Sequence, residues 1–352
     1  MGNVIDNDFA PSRLPRVDTP RRVTITDVAR TAGVSVATVS KVINERYGVA
    51  RPTAERVRGV IHELGYESSL VARSLRSHRT GVIGILVVEF EPFSTELLKG
   101  LSAAAQDSGY QLLAYSGGGT PESQVGWERR SLSRLSGTLI DGAILVTPST
   151  VDGGYRIPVV AIDPHTGPSD LPTVDSDNLS GAAEAVWHLV NLGHRRIGFL
   201  GGRNDLESAR RREEGYLRTM AEAGLRVDPD LIRSGGFRME TSDAPARELL
   251  SRPDRPTAVF AANDLMAIQT MQVAQSLGLR VPEDLSVIGF DNIPESAMAT
   301  PGLTTIAQPL KSLGQTAMQL LLALLRGEDV PKRHVQLATE LVVRASTAPP
   351  AG

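Results

Sequence analysis

The chain has no cysteine. That excludes disulfides, thiol catalysis and cysteine-based zinc sites. It has no run of about 18 or more uncharged apolar residues, so no segment is expected to span a membrane. The N-terminal stretch MGNVIDNDFAPSRLPRVDTPRR carries acids and prolines where a signal peptide needs an apolar core, which predicts a cytoplasmic protein. Enzyme signatures are missing too. The glycine stretches at 117–119 and 200–203 lack the G-x-G-x-x-G or G-x-x-x-x-G-K-[ST] spacing of nucleotide sites. His62, His78, His165, His188, His194 and His334 show no metal-ligand spacing, and there is no G-x-S-x-G elbow. No catalytic residue, metal or cofactor is expected.

What is present is 352 residues with the apolar and charged fractions of a soluble globular protein, long enough for two or three domains. The net charge of −3 is unevenly spread. Residues 21–80 hold eleven Lys and Arg against five Asp and Glu, a net +6, which leaves −9 for the rest. A basic head on an acidic body is the footprint of a phosphate-binding module fused to something else.

The basic part coincides with VTITDVARTAGVSVATVSKVIN, residues 23–44, which reads as two short helices around a tight turn. Thr24 caps the first, with Asp27 completing a capping box. Val28, Ala29 and Ala32 share an apolar face, and Gly33 supplies a left-handed stop. Ser35 caps the second helix, and Val39, Val42 and Ile43 point inward. Ser35, Val36, Ala37, Ser40 and Lys41 point outward, a small flat face able to enter a DNA major groove. An ordinary surface helix pair is the alternative. A third helix follows from about 52 to 64, with Val57, Val60, Ile61 and Leu64 inward. The segment 69–76 reads as a short apolar helix with no core to join, either a solvated linker or a helix that forms only against a partner.

From Gly81 the pattern changes to short apolar runs (82–88, 112–115, 143–146, 159–162, 197–200, 258–261 and 285–288). They alternate with amphipathic stretches (96–108, 124–135, 179–192, 210–223, 265–277 and 310–325). Such alternation implies parallel sheets flanked by helices, and its length implies two subdomains. Several runs end in polar or glycine residues: Glu89, Thr147, Asp163, Gly201-Gly202-Arg203, Asn263-Asp264 and Asp291-Asn292. Open parallel sheets bind ligands beyond the carboxyl ends of their strands, and this collection suits a ligand rich in hydroxyls. Asn263-Asp264 also reads simply as a helix cap.

From about Val23 to Thr347 the chain resembles the LacI/GalR-type transcriptional regulators. The resemblance is carried by the helix pair, by ELGY followed by LVARSLRS, and by VDSDN, LGHRRIGFLGG, SARRREEGY, PTAVFAANDLMA, VPEDLSVIGFDN and PGLTTIAQP in that order. It implies an α/β fold with an N-terminal all-α helix-turn-helix domain. Behind that domain stands a periplasmic-binding-protein-like body of two doubly wound parallel-sheet subdomains. The expected organisation is a tail over 1–20, the helix-turn-helix domain over 21–67, a hinge over 68–80, an effector-binding domain over 81–347 and a tail over 348–352. The chain is expected to cross between subdomains near 163–175, 305–308 and 334–339.

For DNA, the resemblance implies contacts from Thr24, Ser35, Val36, Ala37, Thr38, Ser40, Lys41 and Asn44. The hinge contributes Ala72 and Leu75, with Leu75 wedged into the minor groove. For the effector it implies Asp163, Arg212, Asn263, Asp291 and Gln308, with Phe93 and Thr147 at the border of the cleft. The implied partners are a palindromic double-stranded DNA operator, a mono- or oligosaccharide effector and a second copy of the chain. The implied function is a repressor of carbohydrate-utilisation genes released by a sugar. A regulator whose effector is a co-repressor, and a carbohydrate-binding protein without DNA function, are the alternatives. The sequence departs from the family's usual pattern at Ser68-Ser69, often Pro-Asn, at Ala50, often a serine cap, and at Lys41, often arginine. It departs again at Glu91 to Ser94, where E-P-F-S replaces a frequent N-P-F-F.

Overall fold

The computed structural model describes residues 23–43, 46–66, 79–117, 126–149, 154–165, 171–331 and 333–351. Asn44, Ala72, Leu75, the hinge segment 68–78 and the tail over 1–20 lie outside them. The chain divides into two units, 1–73 and 74–352.

In the first unit, α1 (Ile25–Ala32), α2 (Val36–Ile43) and α3 (Arg51–Glu63) surround one small core. The capping box forms as read: the Thr24 N–H donates to Asp27 Oδ2 at 3.0 Å, and the Asp27 N–H donates to Thr24 Oγ1 at 3.4 Å. Gly33 ends α1 with φ of 65°, a conformation that a Cβ would strain. Ser35 Oγ accepts the Thr38 N–H at 3.1 Å and starts α2. Val28, Ala29, Ala32, Val39, Val42 and Val57 are buried, ringed by the half-buried Ile43, Val60, Ile61 and Leu64. Helices this short are marginal alone, so this core holds them.

The second unit begins with β1 (Val82–Val87), α4 (Pro92–Ala105), β2 (Gln111–Ser116), α5 (Trp127–Leu135), β3 (Gly142–Val146), β4 (Val159–Ile162) and β5 (Thr173–Ser176). It continues with α6 (Asn178–Asn191), β6 (Ile197–Gly201), α7 (Glu207–Glu222), β7 (Ile232–Ser234), α8 (Met239–Leu250), β8 (Ala258–Ala261) and α9 (Asp264–Ser276). Then come β9 (Ser286–Asp291), α10 (Pro294–Met298), β10 (Thr304–Ala307), α11 (Leu310–Leu325), β11 (His334–Leu337) and β12 (Glu340–Val342). Two six-stranded sheets result, ordered β11-β5-β4-β3-β1-β2 and β12-β10-β9-β8-β6-β7. Every pairing is parallel except β10 with β12. Both are doubly wound, with central strands buried along their whole length as parallel strands between helices must be. Leu97, Leu101, Leu313 and Leu321 pack on one face of the first sheet, and Trp127 and Leu132 on the other. The second sheet buries Phe199, Tyr216, Phe260 and Phe290.

The chain passes between the sheets three times: after Ser176, after Ala307, and between Leu337 and Glu340. The first passage falls beyond the expected 163–175. Thr173–Ser176 is a strand of the first sheet, paired with β4 and β11, and this polar TVDS segment did not read as one.

Helices α4 and α11 lie backbone to backbone at Gly100, where an added Cβ would come within 2.0 Å of the Lys311 carbonyl oxygen. Gly100→Ala must therefore push the helices apart and is expected to lower stability by about 1–3 kcal/mol. Denaturant unfolding followed by circular dichroism measures it; an unchanged midpoint would show that the helix pair yields freely. No helix among the described residues is long and apolar enough to cross a membrane.

Candidate functional site

In the head, the start of α2 is the exposed edge. Ser35, Val36, Ala37 and Lys41 are exposed, while Thr38 and Ser40 are half-buried. The Ser35 and Thr38 hydroxyls lie 2.9 Å apart, so the cap itself ties down the first turn. Thr24 is exposed, but its hydroxyl donates to Asp27 Oδ2 at 2.7 Å. The chain thus presents Val36, Ala37 and Lys41 without prior hydrogen-bond commitments among the described residues. A rigid helix with small side chains and one cation fits a groove without steric cost.

In the body, a cavity of about 140 Å³ lies beyond the carboxyl ends of both sheets. The first sheet contributes Glu89 after β1, Thr147 after β3, and Asp163 and His165 after β4; Glu91 and Phe93 stand at the head of α4. The second contributes Arg203 after β6, Arg212 from α7, Phe237 and Arg238 after β7, Asn263 after β8 and Asp291 at the end of β9. Among the described residues five non-glycine residues have positive φ: Thr147, Asp163, Phe237, Asp291 and Asn292. The first four line this cavity. Strain of this kind collects where a side chain must be aimed.

Arg212 is the centre of the wall, 3 % exposed. Its Nε donates to Asn178 Oδ1 at 2.8 Å, and its Nη1 to the Ala262 carbonyl at 2.5 Å and to Asp291 Oδ1 at 3.4 Å. The guanidinium carbon lies 3.8 Å from the Phe290 ring centroid and 5.5 Å from that of Phe237, close enough for cation–π attraction. Its firm partners belong to its own subdomain, so it is no simple clamp across the cleft. Gln308 Nε2 donates to Asp291 Oδ1 at 2.6 Å. Arg212 Nη2 and Asp291 Oδ2 take part in none of these bonds. Burial pushes the Asp291 carboxyl up to about 6, against the pull of Arg212 and Gln308. Burial also raises Asp163, against the pull of Arg212 and of the polar Ser208 and Asn178 in the opposite subdomain.

The residues expected at the effector site come together, with two qualifications. Phe93, Thr147, Asp163, Arg212, Asn263 and Asp291 line the cavity; Gln308 does not, and stands behind Asp291. Asn263 caps α9, its Oδ1 accepting the Met266 N–H at 3.0 Å and its Nδ2 donating to the Phe237 carbonyl at 3.0 Å. The helix-cap reading is therefore correct, and one amide N–H remains for a ligand. Glu91 lines the cavity within the E-P-F-S segment read as bordering the cleft, whereas His165, Phe237 and Arg238 were not placed at the site from sequence. Burial holds the His165 imidazole down to about 4, so it is neutral at pH 7. The two halves of the body also touch across the cleft. Arg238 pairs with Glu89, and the His165 carbonyl accepts from the Glu207 N–H at 3.1 Å and Arg210 Nη2 at 3.2 Å.

A helix-turn-helix head on a body whose two sheets share a polar cleft is the build of a DNA-binding regulator. Residues 24–69 match the bacterial regulatory proteins of the lacI family, and residues 186–347 match the periplasmic binding protein-like domain. The chain is 37 % identical over 334 residues to the HTH-type transcriptional repressor PurR of Photobacterium profundum, covering 92 % of this chain and 98 % of that protein. It is 34 % identical over 331 residues to the repressor CytR of Escherichia coli, covering 92 % and 96 %. The lac repressor dimer bound to operator and the anti-inducer ONPF superposes with a TM-score of 0.79 at 28 % identity, over 93 % of this chain and all of that one. The regulator CelR in complex with cellobiose gives 0.70 at 32 %, over 92 % and 100 %. The chain belongs to the lacI family of bacterial regulatory proteins: it is a DNA-binding transcriptional repressor.

Proposed function

We propose that the protein is a cytoplasmic, non-enzymatic, homodimeric repressor that binds a palindromic operator through α2 and is released by a sugar in the cleft. The observation that carries the effector reading is the pair that takes no part in the hydrogen bonds of the wall. Asp291 Oδ2 is an acceptor and Arg212 Nη2 a donor, and both residues line a cavity together with Phe93 and Phe237. A hydroxyl donates and accepts at once, so it satisfies both atoms, while the aromatic rings suit the apolar face of a sugar ring. Burial makes the match selective, since an analogue lacking the hydroxyl leaves both groups unpaired. The solved relative that holds cellobiose supports this class of ligand.

Fluorescence anisotropy on a palindromic promoter fragment, with and without sugars, tests the reading. Release by a sugar is expected; tighter binding with sugar would make the effector a co-repressor. Lys41→Ala is expected to cost about 1–3 kcal/mol on the operator and less on random DNA, as loss of a base contact does. An equal loss on both DNAs would reduce Lys41 to a phosphate contact. Asp291→Ala is expected to keep operator binding and lose the response to sugar.

A further inference from the structure

Where the chain enters the body from the head, one carboxylate holds it. Asp141, just before β3, accepts the Thr80 N–H and hydroxyl through Oδ1 at 2.7 and 3.0 Å and the Gly81 N–H through Oδ2 at 2.8 Å. Its own N–H donates to the Val82 carbonyl at 2.8 Å. The Thr80 hydroxyl accepts the Val82 N–H at 3.1 Å, and the Gly81 carbonyl accepts the Gln111 N–H at 2.8 Å. Thr80 is buried, and Gly81 has φ of 71°, the left-handed region that turns the chain sharply. Backbone bonds to a carboxylate are roughly twice as strong as neutral ones.

Starting a strand does not require this much. β1 is buried along its whole length and hydrogen-bonded to β2 on one side and β3 on the other. The carboxylate instead fixes the two residues that precede β1, and with them the direction in which the chain leaves for the head. The far ends of the same strands lie in the effector cleft: β1 leads to Glu89, and β3 to Thr147. Operator binding is sensitive to that direction, because two heads must reach two half-sites at a fixed spacing. Random DNA, held through its phosphates, makes no such demand.

We propose that Asp141 is a positioning residue for operator binding: by tying down Thr80 and Gly81 it fixes the direction in which each body holds out its head. The inference rests on the reading of a dimer on a palindromic operator, and not on the identity of the effector.

The test is fluorescence anisotropy of the full chain on a palindromic promoter fragment and on random DNA of equal length. Melting of the body and hydrogen exchange of residues 79–82 are followed alongside. Asp141→Ala is expected to speed that exchange and to weaken operator binding about 10- to 100-fold, the cost of fixing one or two freed residues again on binding. Affinity for random DNA should stay within about threefold. Asp141→Asn keeps an oxygen for Thr80 and loses the acceptor for Gly81, so it should fall between alanine and wild type. Gly81→Val reaches the same turn without touching the carboxylate. A Cβ there meets nothing within 4 Å, so packing is kept, but a β-branched residue does not tolerate φ of 71°. It is expected to lose operator affinity in the same range, and it decides the matter if Asp141→Ala does not fold. A merely structural Asp141 would lower the melting point and leave the ratio of operator to random-DNA affinity at its wild-type value; that result overturns the proposal. Faster exchange at 79–82 with wild-type operator affinity overturns it too. A wild type that binds random DNA as tightly as the palindrome removes the operator reading and this inference together.

Discussion

Arg212→Ala is expected to abolish the response to effector and to destabilise the body by about 3–5 kcal/mol, the cost of breaking a buried ion pair from one side. The guanidinium is 3 % exposed and ties α7 to the head of α6, the end of β8 and the end of β9. Alanine strands Asp291 and Asn178, frees the Ala262 carbonyl, and removes the cation over Phe290. The loss has a definite pH dependence. Asp291 already sits at about 6, and burial is the first cause; without Arg212 nothing but Gln308 opposes that burial, so its folded value rises further. A raised carboxyl destabilises the native state above its folded value and is relieved as the pH falls through it. The deficit relative to wild type should therefore be larger at pH 8 than near pH 5. Urea unfolding at both values measures it. Arg212→Ala unfolding with wild type, or retaining its response to sugar, would show that the guanidinium is not the centre of the wall.

That wall was only partly legible in the sequence, and the reason is local. Asp163, Asn263 and Asp291 follow strands whose apolar runs were plain, so their place at the carboxyl ends could be read. Phe237 and Arg238 are carried into the cleft by β7 and α8, and neither element announced itself. β7 is three residues long, and α8 holds Pro245 in its interior, where a proline normally argues against helix. The same holds for β5, β11 and β12, short and polar edge or near-edge segments whose pairing comes from the neighbouring strand rather than from their own pattern. Gln308 shows a different limit. Its place in the family pattern marks it as functional, but only the fold reveals that it acts on Asp291 from behind.

Val39→Asp is expected to unfold the head and remove operator binding while the body keeps its melting point and its sugar affinity. Residues 23–66 amount to a domain whose whole stability is about 2–7 kcal/mol at ordinary values per residue. Its core is four valines and two alanines, with Val28, Val39 and Val57 completely buried. An unpaired carboxylate at Val39 loses that apolar contact and carries a desolvation penalty of several kcal/mol, so α2 cannot stay docked and loses the only support so short a helix has. Val36→Asp is the control on the same helix. Val36 is 41 % exposed, so its replacement should leave helicity intact and weaken DNA binding only by repelling phosphates, an effect that salt diminishes. Helicity of the head by circular dichroism, together with operator titration at two salt concentrations, separates the two. Val39→Asp that keeps native helicity and binds operator like wild type would mean that the packing of α2 on α1 and α3 is not what presents Val36, Ala37 and Lys41 to DNA.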